Sequence, residues 1–260
     1  MTMPALDKAT KKPGRQAADA TVDPAEVERF AAIAAEWWDP AGKFRPLHRM
    51  NPVRLEFIRD RICARFGRDP KAARPLAGVT LIDIGAGGGL IAEPLARLGA
   101  AVTAIDASER NVAVARLHAE GQGLAIDYRF ATAGDVAGAG ESFDVVLSLE
   151  VIEHVADRAA FLADCAALVR PGGLMILATL NRTAKSFALG IVGAEYILRW
   201  LPIGTHDWRR FVRPSELAAD LRHAGLRIAE FKGIAYNPLA DRFSLGSDID
   251  VNYMAVAERA

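Results

Sequence analysis

Val79-Thr80-Leu81-Ile82-Asp83-Ile84-Gly85-Ala86-Gly87-Gly88-Gly89-Leu90 is the stretch whose reading decides the fold. Its first six residues are a short apolar run before glycines, hence a buried strand. The glycines make a wide strand-to-helix turn, where a ligand can approach the backbone closely. A dinucleotide fingerprint, G-x-G-x-x-G, needs its third glycine at position 90, which is Leu90. Counted from Gly87 it needs one at position 92, which is Ala92. The turn is therefore not of the nicotinamide type, and it carries an acid, Asp83, inside the strand. Asp106 ends the next strand, where an acid can accept ribose hydroxyls.

Outward from the turn, strands and helices alternate. The pattern predicts a helix over 90–98, a strand over 101–105, and a helix capped by Ser108 to about 120. Strands follow at 125–130 and 143–149, then a helix at 158–169 stopped by Pro171-Gly172-Gly173, and a fifth strand at 174–179. A helix opening at Pro214 and two closing strands, 226–235 and 250–257, complete the core. This rhythm specifies an α/β fold, a parallel sheet with helices on both faces. Upstream, residues 1–21 read as a disordered tail. A helix over 24–38 has Asp23 as N-cap and Pro24 at its first position, and a second opens at Pro52 and reaches about 66. Trp37 and Trp38 read as core.

Lys+Arg and Asp+Glu are equal at 32 each, which argues against a general nucleic-acid binder. Cys63 and Cys165 are far apart and form no C-x-x-C, so they read as buried apolar groups in a reducing cytoplasm. No apolar run is long enough to span a bilayer, and the N-terminus lacks the apolar centre of a signal peptide.

Glu150-Val151-Ile152-Glu153-His154 follows the fourth strand, at the end of the sheet where ligands bind in doubly wound folds. If the segment turns helically, Glu150, Glu153 and His154 share a face. His154 could take a proton from an acceptor hydroxyl. The same three side chains could hold a divalent cation through two oxygens and one nitrogen. The plain alternative is a polar helix start. His118 and His223 read as exposed helix-end residues, and His48 and His206 lie in irregular segments.

The strand, the turn D-I-G-A-G-G-G, the helix and the strand ending in Asp106 resemble the class I S-adenosylmethionine-dependent methyltransferases. Three stretches narrow the resemblance. They are Trp37-Trp38-Asp39 with Phe44-Arg45-Pro46-Leu47-His48-Arg49-Met50-Asn51-Pro52-Val53-Arg54, then Thr179-Leu180-Asn181-Arg182 through Val192-Gly193-Ala194-Glu195-Tyr196 to Gly204-Thr205-His206-Asp207, and Asp250-Val251-Asn252-Tyr253-Met254. Together they are similar to the ubiquinone-biosynthesis O-methyltransferase family, over nearly the whole chain from Val22 to Met254. One departure is Ala86, where family members often have cysteine.

The resemblance implies a Rossmann-like fold with a seven-stranded, mostly parallel sheet whose last strand is antiparallel. It implies a single domain over 22–260, with a helical cap at 22–66 and an inserted helix after the fifth strand, in a segment 181–212 over the active site. It implies S-adenosylmethionine as cofactor, with Gly85 and Gly87 against its methionine part, Asp106 on the ribose, Leu149 lining the methionine pocket and Arg54 on the methionine carboxylate. Asp135 sits where such enzymes place an acid near the adenine; a solvated loop Asp is the plain reading. Glu150, Glu153 and His154 carry over as catalytic residues and as ligands of Mg2+ or another divalent cation. The implied substrates are a 2-polyprenyl-6-hydroxyphenol and demethylubiquinol, with other ubiquinone-biosynthesis enzymes as partners and no nucleic acid.

Residues 186–201 form an amphipathic pattern. Phe187, Ile191, Ala194, Leu198 and Leu201 fall on one helical stripe, with Leu189, Val192, Tyr196 and Trp200 beside it. Phe187, Ile191, Leu198 and Trp200 are thus candidates for contact with a membrane surface or prenylated substrate, at the inner face of the plasma membrane. Two other functions compete: an O-methyltransferase of a soluble small phenol, for which this stripe has no role, and a non-catalytic cofactor-binding protein, in which His154 has none.

Overall fold

In a computed structural model of the chain, the described residues are 21–189, 207–237 and 240–260. The predicted tail lies outside them but for Thr21. Most of the amphipathic segment, including Ile191, Leu198 and Trp200, also lies outside, as does His206.

The core alternates as expected: β1 (Thr80–Ile84), α3 (Ala92–Arg97), β2 (Ala101–Asp106), α4 (Glu109–Gly121), β3 (Asp127–Phe130), α5 (Ala133–Gly138), β4 (Phe143–Leu149), α6 (Arg158–Ala167) and β5 (Val169–Leu180). After these come α7 (Pro214–His223), β6 (Arg227–Asn237), β7 (Arg242–Gly246) and β8 (Asn252–Glu258). The sheet order is β3-β2-β1-β4-β5-β8-β6-β7. Strands β1 to β5 pair in parallel, while β8 runs antiparallel to both β5 and β6.

Seven strands were expected and eight are present among the described residues. The addition is β7. Strand β6 pairs with β8 only from Arg227 to Gly233, and β7 folds back along the remainder, Gly233 to Asn237. The turn between β7 and β8 closes on Gly233, where a Cβ would lie 1.7 Å from the Asp248 carbonyl oxygen. The segment Pro171-Gly172-Gly173 also differs: it lies inside β5, as an irregularity between the pairs Phe143↔Val169 and Val145↔Leu174.

Side-chain alternation divides the core. Leu81, Val145, Leu147 and Ile176 join one apolar cluster with Phe57, Leu95 and Val112 of the helices on that face. Ile82, Ile84, Val146 and Met175 join the other, with Phe161, Leu162 and Leu217. Cys63 and Cys165 are buried free thiols in these two clusters.

At the N-terminus, α1 (Pro24–Ala32) is shorter than expected and passes into a 3-10 turn, Ala34–Glu36. Asp23 caps it, accepting from the Ala25 N–H at 3.1 Å. Helix α2 begins at Arg45 rather than at Pro52 and reaches Arg65. Pro46 takes the role in the first turn expected of Pro52, and Pro52 sits inside the helix, where its missing N–H leaves one rung of the ladder unmade.

Candidate active site

Gly85 and Gly87 have φ of 74° and 54°, left-handed values that favour glycine. The space they leave is already used. A Cβ on Gly85 would lie 2.4 Å from Val151, and one on Gly87 or Gly88 would lie 2.4 or 2.3 Å from Trp37. Trp37 is therefore seated on the glycine turn, stacked on Phe44 with ring centroids 3.7 Å apart. Its Nε1 donates to Asn111 Oδ1 at 3.1 Å, and Asn111 Nδ2 donates to Asp106 Oδ1 at 3.1 Å. Trp38 Nε1 donates to the Gly88 carbonyl at 2.9 Å, and its indole stacks on His118 at 3.5 Å. His118 is thus not a free helix-end residue; its Nδ1 meets the fully buried Glu93 at 2.6 Å.

Asp106 ends β2, and its Oδ2 accepts from the Gly87 N–H at 2.9 Å. Its Oδ1 accepts from the Ser108 N–H at 2.8 Å and from Asn111. A carboxylate has about four acceptor sites, so three are engaged and one remains, on Oδ2. That suffices for one ribose hydroxyl, not two.

The turn after β4 is not the α-helical start that would align its three polar residues. Glu150 has φ of 57°, a left-handed value in a residue other than glycine, and the chain then makes a 3-10 turn over Ile152–His154. Each side chain finds a different partner. Glu150 Oε1 accepts from Arg54 Nη2, and Arg54 is 2% exposed. Glu153 Oε2 accepts from Thr179 Oγ1 at 2.8 Å, deep in the core. His154 Nδ1 meets Glu26 Oε2 at 2.7 Å, and the ring packs edge-on to Phe30. The left-handed residue and the 3-10 turn replace the expected α-helical alignment of Glu150, Glu153 and His154, although the Glu150 carboxylate stays close enough to Glu153 to raise its carboxyl. Among the described residues no three His, Cys, Asp or Glu side chains are gathered to hold a metal ion.

A cavity of about 760 Å3 lies between the carboxyl ends of the strands and the N-terminal helices. Gly85, Gly87, Asp106, Leu149, Arg54, Glu150 and His154 line it; Glu153 does not. Asp135 does not reach it either. Its Oδ2 accepts from the Thr132 N–H and Oγ1 at 2.9 and 2.8 Å in a capping box that starts α5. Phe187 is half-exposed, as is Leu189 at the cavity wall. His48 is turned to the Trp37 carbonyl at 2.9 Å.

Glu26 is a site residue that the sequence reading missed. It is separated from His154 by 128 positions, and only the docking of α1 brings them together. The buried Asn111 escaped too, since a helix-first-turn Asn looks like any other.

The glycine turn fits S-adenosylmethionine. Gly85 and Gly87 line the cavity, Asp106 keeps one acceptor site, and the buried Arg54 has an Nε with no partner, suited to a carboxylate.

Burial raises the carboxyls at this end of the sheet. It pushes Asp83 up to about 7, with the Asp106 charge adding to the rise. Burial also raises Asp106, against the opposing hydrogen bonds from Ser108, Gly87 and Asn111. Burial and then the Glu150 charge hold Glu153 well above the usual range. An unfolded Asp releases its proton near 4, so between about pH 4 and 7 the folded chain binds more protons than the unfolded one. The stability of the cofactor-free protein should thus fall as pH rises through that window, by up to about 4 kcal/mol from Asp83. Asp83→Asn should flatten the fall, measured as urea midpoints at about pH 5 and 7.5. An undiminished fall in the variant would acquit Asp83.

A family profile described as "Methyltransferase domain" matches residues 82–177, from within β1 to most of β5. A ubiquinone biosynthesis O-methyltransferase of Parvibaculum lavamentivorans is 60% identical over 94% of this chain and 97% of its own length. One from Mesorhizobium japonicum is 59% identical over 92% and 96%. Among solved structures, the magnesium protoporphyrin IX methyltransferase of Synechocystis PCC 6803 with bound S-adenosylmethionine aligns with a TM-score of 0.56 at 17% identity, covering 98% of this chain and 100% of that one. The fold is the Rossmann-like fold of the class I methyltransferases.

Proposed function

The chain belongs to the ubiquinone-biosynthesis O-methyltransferase family, and from that premise we propose that its cavity seats the ring of a 2-polyprenyl-6-hydroxyphenol or a demethylubiquinol beside S-adenosylmethionine. One observation carries this reading. A single space is bordered both by Gly85, Gly87 and Asp106 and by an apolar wall of Leu180, Ile234, Tyr236 and Phe243. Cofactor and greasy acceptor would share it without a barrier between them.

S-adenosylmethionine supplies a methyl group on a sulfonium that is already a good leaving group. The work left to the chain is to align and to remove a proton. Arg54 would hold the methionine carboxylate and Asp106 one ribose hydroxyl, beside the backbone of Gly85 and Gly87 and the side chain of Leu149. A phenolic hydroxyl titrates near 10, so it needs a base at neutral pH. His154, in the cavity wall, is that base in our reading. Glu150 positions Arg54, and Glu153, kept toward its neutral form, braces the turn through Thr179.

We read residues 22–66 as a cap and 181–212 as an insertion over the site, on one domain spanning 22–260. No helix among the described residues is long and apolar enough to cross a membrane. The exposed Phe187 and Leu189, flanked by Arg182 and Lys185, support peripheral docking at the inner face of the plasma membrane, where a polyprenyl substrate resides. Other enzymes of the pathway would meet the protein there.

The test is methyl transfer from labelled S-adenosylmethionine to short-chain prenyl catechols, with and without a chelator. Prenylated catechols should be methylated well above their unprenylated parents. Equal rates would favour a soluble phenol as substrate. Loss of activity to a chelator, restored by Mg2+, would return Glu150, Glu153 and His154 to the role of cation ligands.

A further inference from the structure

We infer that Trp37 is a positioning residue for Asp106, acting through Asn111, so that affinity for the cofactor depends on the N-terminal segment being docked against the glycine turn. This rests on the reading of Asp106 as the acceptor of a ribose hydroxyl.

An indole N–H donates and cannot accept, whereas a carboxylate accepts. Between the two stands an amide, which has one end of each kind. Trp37 Nε1 donates to Asn111 Oδ1 at 3.1 Å, and Asn111 Nδ2 donates to Asp106 Oδ1 at 3.1 Å. These neighbours admit one orientation of the amide. Turned over, Asn111 would set its oxygen against the carboxylate and its NH2 against the indole N–H. Asn111 is 2% exposed, so its two neighbours rather than solvent make the choice. Its backbone is fixed as well, the N–H donating to Ser108 Oγ at 3.2 Å.

The glycine turn, the chain after β2 and α4 each send Asp106 one donor: the Gly87 N–H, the Ser108 N–H and the Asn111 amide. Three donors fix the plane of the carboxylate and thereby the direction of the acceptor site left on Oδ2. Two of them are backbone groups of the core. The third is a side chain whose orientation is set from outside the sheet, by Trp37. That indole is itself held at several points. It lies within 9° of parallel to Phe44, and the Trp37 carbonyl meets His48 Nε2 at 2.9 Å. The next residue, Trp38, bonds the Gly88 carbonyl and stacks within 8° of parallel on His118. Trp37, Asn111 and Asp106 all line the cavity. Withdrawal of the segment from the turn breaks the bond that orients Asn111. By linkage, a ligand that binds the oriented carboxylate favours the docked segment to the same degree.

The full-length protein is compared with W37F, N111A, D106A, W37F/D106A and Trp37→β-(3-benzothienyl)alanine, which keeps the shape of the ring and loses its N–H. Calorimetry with S-adenosylhomocysteine, steady-state kinetics and amide hydrogen exchange over residues 24–66 are the readouts. W37F and the benzothienyl variant should each raise Kd for S-adenosylhomocysteine and KM for S-adenosylmethionine roughly 3- to 10-fold, with a smaller change in kcat. N111A should fall in the same range. Added to D106A, W37F should weaken binding no further, because its effect passes through the missing carboxylate. S-adenosylhomocysteine should slow exchange over 24–66 in the wild type, and slow it less in the benzothienyl variant. Wild-type affinity in the benzothienyl variant would overturn the inference alone, as would a loss from W37F that is equal with and without Asp106. Unchanged affinity in D106A would overturn the ribose reading beneath it.

Discussion

Replacing His154 with alanine should lower kcat at least about 100-fold while leaving the affinity for S-adenosylmethionine nearly intact. The expectation follows from where the side chain stands. It is in the cavity wall, and it bonds to Glu26, whereas Arg54 pairs with Glu150. Removing it takes away a proton acceptor without loosening any group assigned to the cofactor. Glu150 cannot replace it, being paired with Arg54, and burial keeps Glu153 toward its neutral form. Single-turnover methylation beside calorimetry separates the two effects. A variant that turns over at the wild-type rate would remove His154 from the chemistry.

Asp106→Ala should produce the opposite division, with a large loss of cofactor affinity and little change in the chemical step once the site is saturated. One charge-assisted hydrogen bond to a ribose hydroxyl contributes about 1.5–3 kcal/mol, a loss of roughly 10- to 150-fold in Kd. The substitution also frees the Gly87 and Ser108 N–H groups and the Asn111 amide, which the carboxylate gathers in this structure. The glycine turn would then be less well held, and affinity could fall beyond the single bond. Asn111→Ala, which removes one donor but keeps the carboxylate, should cost much less. Unchanged binding in Asp106→Ala would sink the assignment.

The features that were legible in the sequence are those set by neighbouring residues. Apolar runs such as 143–149 specify a buried strand wherever they occur, and Asp23-Pro24 announces a helix start by local chemistry. The glycine turn was legible for the same reason. Its second use was not, because the ring of Trp37 that fills the space over Gly87 and Gly88 comes from some fifty residues upstream. Glu26 and His154 have no local relation at all. Strand β7 was missed because Arg242–Gly246 is five residues long, and only the overhang of β6 gives it a partner. Asp135 shows local chemistry of another kind. Its spacing from Thr132 fits a capping box, which the structure forms at the start of α5. The α-helical turn expected over Glu150 to His154 gives way to a left-handed residue and a 3-10 turn, set by a dihedral angle that no side-chain pattern reports.

That angle bears on engineering. A glutamate at φ of 57° costs on the order of 1 kcal/mol that a glycine at position 150 would not. A search for thermostable variants would be drawn to Glu150→Gly as a backbone relief. It would also strip Arg54 of its carboxylate partner and leave a buried guanidinium uncompensated in the cavity wall. The local conformation and the local charge thus pull this position in opposite directions. Optimisation that scores backbone comfort alone would choose against the site, so position 150 is one to hold fixed in any stabilised version of the enzyme.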